Sequence, residues 1–204
     1  MHESITATTK NRQGILDRLR TKKVSAPELP EFDSSQMTCF DDPIAKFIEM
    51  LEFVGGQAHF VNQPAEIAET LAKIPAFAEA TRIASLVPEA VKGNVDTELV
   101  DDPHGLASLD WVIAKGEFLV AENGAIWVNG ETLPHRVMLF IPQYLALVVS
   151  RSQVVHHLHQ AYEKIGNPTG FGVFVSGPSK TADIEQSLVL GAHGCRTLQV
   201  FLLP

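Results

Sequence analysis

Apolar residues recur at two different spacings along the chain, and each spacing predicts one kind of element. Between positions 43 and 54 apolar side chains return every three or four residues, which is the period of an amphipathic helix. Asp42 and Pro43 are suited to begin this helix, as its N-cap and its first-turn residue, and Gly55 is suited to end it. A second helix of the same kind is predicted over residues 64–74, ended by the proline that follows.

Short apolar runs without a helical period alternate with these helices and predict strands. The longest runs, at 144–149, 171–176 and 196–203, are apolar at nearly every position, as expected for strands buried on both faces. Helices that alternate with buried strands predict a three-layer α/β/α domain with a mainly parallel sheet, with these runs near its centre. Shorter runs between positions 109 and 128 follow one another with turns between them and predict a locally antiparallel portion.

Residues 1–38 lack this alternation. A short helix is predicted over 10–20, and the prolines and polar residues that follow it are typical of an extended linker. We therefore divide the chain into an N-terminal arm and linker, residues 1–38, and an α/β domain, residues 39–204. The arm is expected either to pack loosely on its own domain or to reach a partner.

Composition and charge exclude several classes of protein. The 204 residues, 45% of them hydrophobic, suffice for one sizeable core. A formal net charge of −8 does not favour binding to nucleic acid. No apolar run approaches the roughly 20 residues that span a bilayer, and the first residues lack the apolar core of a secretory signal. We expect a cytoplasmic protein with no nucleic-acid partner and no membrane span, and self-association into a homo-oligomer stays open.

Cysteine and histidine positions argue against a resident metal site. Cys39 and Cys195 form neither a disulfide framework nor a metal-ligand pattern. Iron–sulfur clusters are usually held by four thiolates, so no cluster is expected in this chain, and the cofactor is unknown. A helix is predicted to begin at Ser152 and to carry His156, His157 and His159. His156 and His159 share its polar face, where a solvated surface is favoured over a metal site.

The stretch "FLVAENGAIWV", residues 118–128, places a carboxylate where a buried strand ends. Asn123 and Gly124 explain a turn, but Glu122 requires a partner or a task, because burying an unpaired charge is costly. At a strand end it could act as nucleophile, general base or hydrogen-bond acceptor. The alternative is that Glu122 accepts hydrogen bonds from neighbouring backbone N–H groups and shapes the turn.

A second unusual stretch is "VFVSGPSKTADIEQSLVLGAHG", residues 173–194. A strand, a glycine turn and a loop rich in hydroxyl groups form the arrangement that exposes backbone N–H groups to an anion. The alternative is an ordinary turn between a strand and a helix, with Thr181 as an N-cap. The candidate ligand-binding residues of this stretch are Gly177, Ser179, Lys180, Thr181, Asp183, Glu185 and His193. Asp183 and Glu185 are expected to orient Lys180 or to cap the next turn, and a structural role bonded to the backbone is the alternative for His193.

Taken together, the two stretches resemble the LUD-domain proteins, and in particular the lactate utilisation protein C (LutC/YkgG) family. "GPSKTADIE" followed by "LVLGAHG" carries the resemblance, and Ala121-Glu122-Asn123-Gly124 is similar to the family's Ala-Glu-Ser/Thr-Gly turn. The resemblance covers about residues 40–204. One departure is visible: family members often have a histidine in a Pro-x-x-His-Ile segment, where this chain has Pro142-Gln143-Tyr144-Leu145.

The resemblance implies a fold and a function. The fold is that of the NagB/RpiA/CoA-transferase superfamily, in which "ENG" is also similar to the turn that carries the catalytic glutamate of class I CoA transferases. The function is that of an accessory subunit in the cytoplasmic oxidation of L-lactate to pyruvate, working with iron–sulfur oxidoreductase partners.

Two alternatives stay open beside this function. One is an enzyme of CoA-transferase or sugar-phosphate type that uses Glu122, and the other is a regulatory module that binds a small anionic ligand. Fold analogy cannot choose between them. The site prediction is common to all: Glu122, Asn123 and Gly124 should meet the 177–181 loop across one cleft at the carboxyl edge of the sheet.

Overall fold

The computed structural model describes residues 3–22, 28, 36–167, 170–178, 180–181, 189–190 and 194–204. The chain divides into two compact units, residues 1–36 and 37–204. The first unit contains helix α1 (Glu3–Thr21), which begins earlier than the helix predicted over 10–20. The assignment of residues 1–38 as an arm and of 39–204 as the functional domain stays a prediction.

The helices of the second unit are α2 (Pro43–Phe53), α3 (Ala65–Leu71), α4 (Pro75–Ala78) and α5 (Leu158–Ile165). Helix α2 begins as the sequence predicts, because the Asp42 carboxylate accepts a hydrogen bond from the Ala45 N–H at 2.9 Å. The prediction for Pro75 was wrong. It does not end a helix but occupies the first turn of α4, where its missing N–H would have had no partner in any case.

The strands are β1 (Gln57–Phe60), β2 (Ile83–Ser85), β3 (Trp111–Lys115), β4 (Phe118–Val120), β5 (Ala125–Asn129), β6 (Tyr144–Ser150), β7 (Val154–Val155), β8 (Gly172–Val175), β9 (Lys180–Thr181), β10 (Val189–Leu190) and β11 (Thr197–Leu203). Five of them form a sheet in the order β1-β11-β6-β3-β2, in which every neighbouring pair is parallel. The two long apolar runs at 144–149 and 196–203 lie at its centre, as predicted.

Helices cover both faces of this parallel sheet. Alternate residues of β6 point to opposite faces. Leu145 and Leu147 join a core cluster that includes α2 side chains, and Ala146 and Val148 join another that includes α3 side chains. This arrangement confirms the predicted α/β fold with a mainly parallel sheet between layers of helices.

A second sheet has the order β7-β4-β5-β8. Strand β5 is antiparallel to both β4 and β8, and β7 is parallel to β4. The predicted antiparallel portion is confirmed for β4 and β5, but the first of the three runs is β3, which pairs parallel with β2 and β6. The position predicted for run 171–176, near the centre of the parallel sheet, was also wrong, because β8 is an edge strand of this second sheet. An apolar run predicts a buried strand but not its partner, and here Phe174 packs on Trp127 of β5 at a ring-centroid distance of 4.8 Å.

The helix predicted to begin at Ser152 also begins later than expected. Val154 and Val155 form β7, which pairs with Leu119 and Val120, and α5 starts only at Leu158. Valine is β-branched and favours a strand when a neighbouring strand is available to pair with it. The placement of His156 and His157 on this helix was therefore wrong, because both precede α5 and His157 is 3% exposed. His159 does lie on an exposed face of α5, as predicted.

One carboxylate joins the amino ends of β2 and β3. Asp110 Oδ2 accepts hydrogen bonds from the Thr81 N–H at 2.8 Å, the Thr81 hydroxyl at 3.1 Å and the Arg82 N–H at 2.9 Å. Burial raises the pKa of Asp110, but these hydrogen bonds and the charge of Arg82 together lower it below its usual value. The ionised carboxylate therefore stabilises the folded state.

We predict that Asp110→Ala lowers the free energy of unfolding at pH 7 by about 1–3 kcal/mol, because three donors lose their acceptor. The folded-state pKa of Asp110 is lowered, so its contribution is fully present above the unfolded value near 3.8 and is lost as pH falls through the folded value. Denaturant unfolding of both proteins at several pH values between about 7 and 3 measures this difference.

Asp41→Ala is the matched control, because Asp41 is exposed and makes no side-chain hydrogen bond to another described residue. It should change the free energy of unfolding by less than about 0.5 kcal/mol. A difference between wild type and Asp110→Ala that stays constant down to the lowest pH would contradict the role given to this carboxylate.

Candidate functional site

Glu122 and the two residues after it form the turn between β4 and β5. The Gly124 N–H donates to the Val120 carbonyl at 3.1 Å, and the Asn123 side-chain oxygen accepts from the Ala125 N–H at 3.1 Å. Gly124 has a φ of +65°, in the left-handed region that favours glycine. The sequence Asn-Gly therefore makes the hairpin turn that it predicts.

The partner of the Glu122 carboxylate is the beginning of helix α5. The Leu158 N–H donates to Glu122 Oε1 at 2.6 Å, and the Glu122 N–H donates to the His156 carbonyl at 3.0 Å. The first N–H groups of a helix lack partners within the helix and favour a negative charge. This contact supplies the partner that a half-buried carboxylate requires, and it lies 36 residues away in sequence rather than in the turn.

The second oxygen of this carboxylate, Oε2, accepts no hydrogen bond from the residues that the structure describes. Glu122 itself is half-buried. One oxygen is therefore committed to α5, whereas the other keeps its capacity to accept a hydrogen bond.

His157 is the N-cap of α5 and lies beside this contact. Its Nδ1 accepts a hydrogen bond from the Gln160 N–H at 3.3 Å, so the neutral ring carries its proton on Nε2. Nε2 is buried and has no hydrogen-bond partner among the described residues. An unpaired buried donor costs about 1–3 kcal/mol. Sequence reasoning missed the capping role of His157 because it placed the helix start at Ser152.

His156 ties the segment before α2 to the same region. Its Nδ1 accepts a hydrogen bond from the Phe40 N–H at 3.0 Å, and the two rings stack at a centroid distance of 6.2 Å. Lys46 lies 5.9 Å from the Phe40 ring centroid. His156 and His157 therefore each accept a hydrogen bond from a backbone N–H at Nδ1, so neither Nδ1 atom is available to bind a metal.

The loop after β8 begins at the same turn. The Ser176 hydroxyl donates to the Asn123 carbonyl at 2.9 Å. Gly177 has a φ of +71°, and a Cβ on it would lie 2.6 Å from the Val54 carbonyl oxygen at the end of α2. A Cβ on Gly124 would similarly lie 2.6 Å from the Leu51 N atom of α2. Both turns thus pack directly on the backbone of α2.

Strand directions explain why these groups meet. Because β4 and β8 are both antiparallel to β5, they run in the same direction, and β7 runs with them. Their carboxyl ends therefore lie on one edge, but it is the edge of the second sheet, not that of the five-stranded parallel sheet. We call this arrangement of Glu122, Asn123, His157 and Ser176 the turn site.

The remaining predicted ligand contacts are described only in part. Lys180 and Thr181 form β9, whose backbone pairs antiparallel with β10. Ser179, Asp183, Glu185 and His193 lie outside the described residues. The ligand-binding role of all these residues, and of Asn123, Gly124 and Gly177, stays a prediction.

The described residues contain no group of three or more histidine, cysteine, aspartate or glutamate side chains that could hold a metal ion. Within the same residues no helix is both long enough and apolar enough to cross a membrane.

Comparisons with known proteins identify a family that matches the half of the chain containing the turn site, and relatives that match shorter stretches. Residues 103–203 match the family model of the LUD domain. Lactate utilization protein C of Shouchella clausii (strain KSM-K16) is 34% identical over 88 residues, which are 40% of this chain and 38% of that protein. Lactate utilization protein C 1 of Bacillus mycoides (strain KBAB4) is 35% identical over 92 residues, which are 42% of this chain and 39% of that protein. Each match thus spans well under half the length of the relative.

One solved structure supports the fold. The crystal structure of a DUF162 family protein from Deinococcus radiodurans superposes with a TM-score of 0.54, covering 79% of this chain and 96% of that chain. The two sequences are 20% identical, so this likeness concerns the fold alone.

The contact between the hairpin turn and α2 gives a direct prediction. Gly124→Ala should lower the free energy of unfolding by at least about 3 kcal/mol, because it combines left-handed strain with a clash against backbone atoms. Gly170→Ala is the control, because Gly170 also has a positive φ of +84° but nothing within 4 Å of an added Cβ. That variant should lose only about 1–2 kcal/mol. Equal losses in chemical denaturation would show that the close approach to α2 contributes nothing.

Proposed function

Because the chain belongs to the LUD domain family, we propose that it is an accessory subunit in the oxidation of L-lactate to pyruvate, acting in the cytoplasm. The observation that carries this proposal is the matched region itself. Residues 103–203 include the Glu122 turn, the beginning of α5 and the strand that leads into the 177–181 loop. Relatives that match about two fifths of the chain carry lactate utilisation in their names.

The iron–sulfur partner is what the resemblance to the lactate utilisation protein C family implies, and the chemistry of the reaction explains why a partner is needed. Conversion of lactate to pyruvate removes two electrons and two protons, so an electron acceptor is required. The chain has two cysteines, Cys39 and Cys195, fewer than the four thiolates that usually hold an iron–sulfur cluster. We assign electron transfer to an iron–sulfur oxidoreductase that associates with this chain.

The turn site is proposed to hold a small anionic ligand. Glu122 uses one oxygen to bind α5 and keeps the other for a donor, such as the hydroxyl of a hydroxy acid. The start of the 177–181 loop adjoins it through Ser176, and that loop is proposed to bind the anionic end of the ligand. A carboxylate fixed by a backbone N–H can orient a ligand without reorganising when the ligand arrives.

The CoA-transferase alternative has less support. Its glutamate must attack a thioester carbon, which requires a carboxylate able to move and to form a new bond. Here Oε1 accepts a short charge-assisted hydrogen bond from the Leu158 N–H, which stabilises the carboxylate in place. The contact suits the acceptor role of Glu122 better than the nucleophilic role.

A growth experiment tests the function and the role of Glu122. We predict that deletion of the gene abolishes growth on L-lactate but not on glucose, and that the wild-type chain restores it. Glu122→Gln keeps an oxygen for the Leu158 N–H but removes the charge, so it should restore growth at least tenfold less well while the protein level stays unchanged.

Glu117→Gln is the matched control, because Glu117 is an exposed glutamate at the other end of the same hairpin. It should restore growth fully. Normal growth on L-lactate after gene deletion would overturn the proposed function, and full rescue by Glu122→Gln would overturn the role of its charge.

A purification experiment tests the partner. We predict that a tagged chain, isolated from lactate-grown cells under anaerobic conditions, carries with it a polypeptide that contains iron and acid-labile sulfide. The same chain produced alone should contain neither in stoichiometric amount, since it lacks the thiolates. Stoichiometric iron and sulfide in the chain produced alone would contradict this division of roles.

A further inference from the structure

A groove of about 220 Å³ lies at the carboxyl edge of the five-stranded parallel sheet, apart from the turn site. Lys115 ends β3, Ser150 ends β6 and Leu203 ends β11, and all three line the groove. Ligands of open α/β sheets bind outside the carboxyl ends of the strands. The groove is smaller than the roughly 300–1,000 Å³ of sites for drug-sized molecules, so it suits a ligand of only a few heavy atoms.

The floor of the groove is aliphatic. It is formed by Val87, Val148, Val149 and Leu203, and among these only Leu203 is more than slightly exposed. A hydrocarbon group placed there would lose contact with water, which is favourable by about 25 cal/mol per Å² of buried apolar surface. The floor therefore favours a ligand with an apolar portion.

The rim carries an ion pair that a ligand can exchange. Lys115 Nζ lies 2.9 Å from Glu89 Oε1, and the side chains are 58% and 48% exposed. The hydrogen bond from Lys115 holds the pKa of the Glu89 carboxyl below its usual value. Exposed ion pairs of this kind contribute little to stability, so another carboxylate can replace Glu89 at little cost.

Ser150 is the polar residue beside this ion pair, and its hydroxyl already makes its full set of hydrogen bonds. Its hydroxyl proton is donated to the Pro204 carbonyl at 2.7 Å, and its oxygen accepts from the Ser152 N–H at 3.2 Å and from the Ser152 hydroxyl at 2.7 Å. Recognition of a charged ligand group at this groove therefore falls to Lys115.

We propose that this groove binds a short-chain monocarboxylate, with the carboxylate on Lys115 in place of Glu89 and the hydrocarbon portion on the aliphatic floor. The choice of L-lactate and pyruvate among such acids rests on the proposed function. Lys115 precedes β4 and Glu122 follows it, so the groove and the turn site lie at opposite ends of that strand. The two sites can therefore be tested separately.

Binding is measured by titrating the purified full-length chain with sodium L-lactate, pyruvate and butyrate at low ionic strength, using backbone amide shifts and calorimetry. We expect saturable binding with shifts at Lys115, Val148 and Leu203. Lys115→Gln should weaken binding at least tenfold. Glu89→Gln should tighten it severalfold, because it removes the carboxylate that competes for Lys115. Added salt should weaken binding, as for any exposed charge pair.

Two variants serve as controls. Lys92→Gln and Glu79→Gln remove the same two charges from exposed residues outside the groove. Both should leave the affinity unchanged within about twofold. Far-ultraviolet circular dichroism and the melting temperature verify that all four variants are folded, as expected for exposed or half-buried positions.

Three results would overturn the proposal: no saturable binding of any of the acids, equal affinity for Lys115→Gln and wild type, or weaker binding by Glu89→Gln. Weaker binding by Glu89→Gln, together with tighter binding of alanine than of the three acids, would instead identify a zwitterionic ligand that contacts both Lys115 and Glu89. Failure of acid binding in a chain that still supports growth on L-lactate would reject the groove and leave the proposed function in place.

Discussion

The close approach of two glycine turns to helix α2 fixes the position of the two turns that form the turn site. Gly124 and Gly177 each leave no room for a Cβ, because backbone atoms of Leu51 and Val54 would be only 2.6 Å away. The second sheet can therefore pack on α2 only with these two turns side by side. Side-chain packing elsewhere in the core could adjust by small rotations, but backbone against backbone cannot.

Two consequences follow from this packing. The Asn123 carbonyl reaches the Ser176 hydroxyl, so the ends of β4 and β8 are joined although β5 lies between them. The Glu122 carboxylate, one residue earlier, reaches the beginning of α5. Strand direction brings the hairpin turn, the loop after β8 and the start of α5 to one edge, and the two glycines allow the turns to pack there against α2.

The sequence predicted the elements whose signals are local, and it failed where the outcome depends on the pairing partner. Helix α2 has an N-cap, a first-turn proline and a clear period, and β6 and β11 are apolar on both faces, so all three were predicted correctly. The period of an apolar run does not identify its neighbour, so β8 was placed in the wrong sheet. Val154 and Val155 were included in a helix because nothing in their own segment shows that β4 lies ready to pair with them.

The site was predictable to a similar extent. Asn123 and Gly124 form the predicted turn, and an interrupted apolar run correctly indicated that Glu122 needs a partner. The identity of that partner, the Leu158 N–H, depends on where α5 begins and was missed with it. The pairing of Lys115 with Glu89 was also missed. Lys115 ends β3 and Glu89 follows β2, and no sequence pattern links the two positions.

The turn site and the groove lie at two edges of the domain, and their charged side chains differ in how freely they can move. This difference favours a different ligand contact at each edge. Glu122 is half-buried and tied to a backbone amide, so its position is set before any ligand arrives. Lys115 and Glu89 are about half exposed and form an ion pair at the surface, so their contact can be exchanged for one with a ligand at small cost. A fixed acceptor suits the orientation of a hydroxyl group, for which geometry decides the rate. An exchangeable ion pair suits the reversible binding of an acid from solution. The affinity then depends on the difference between two weak interactions, that of Lys115 with Glu89 and that of Lys115 with the ligand.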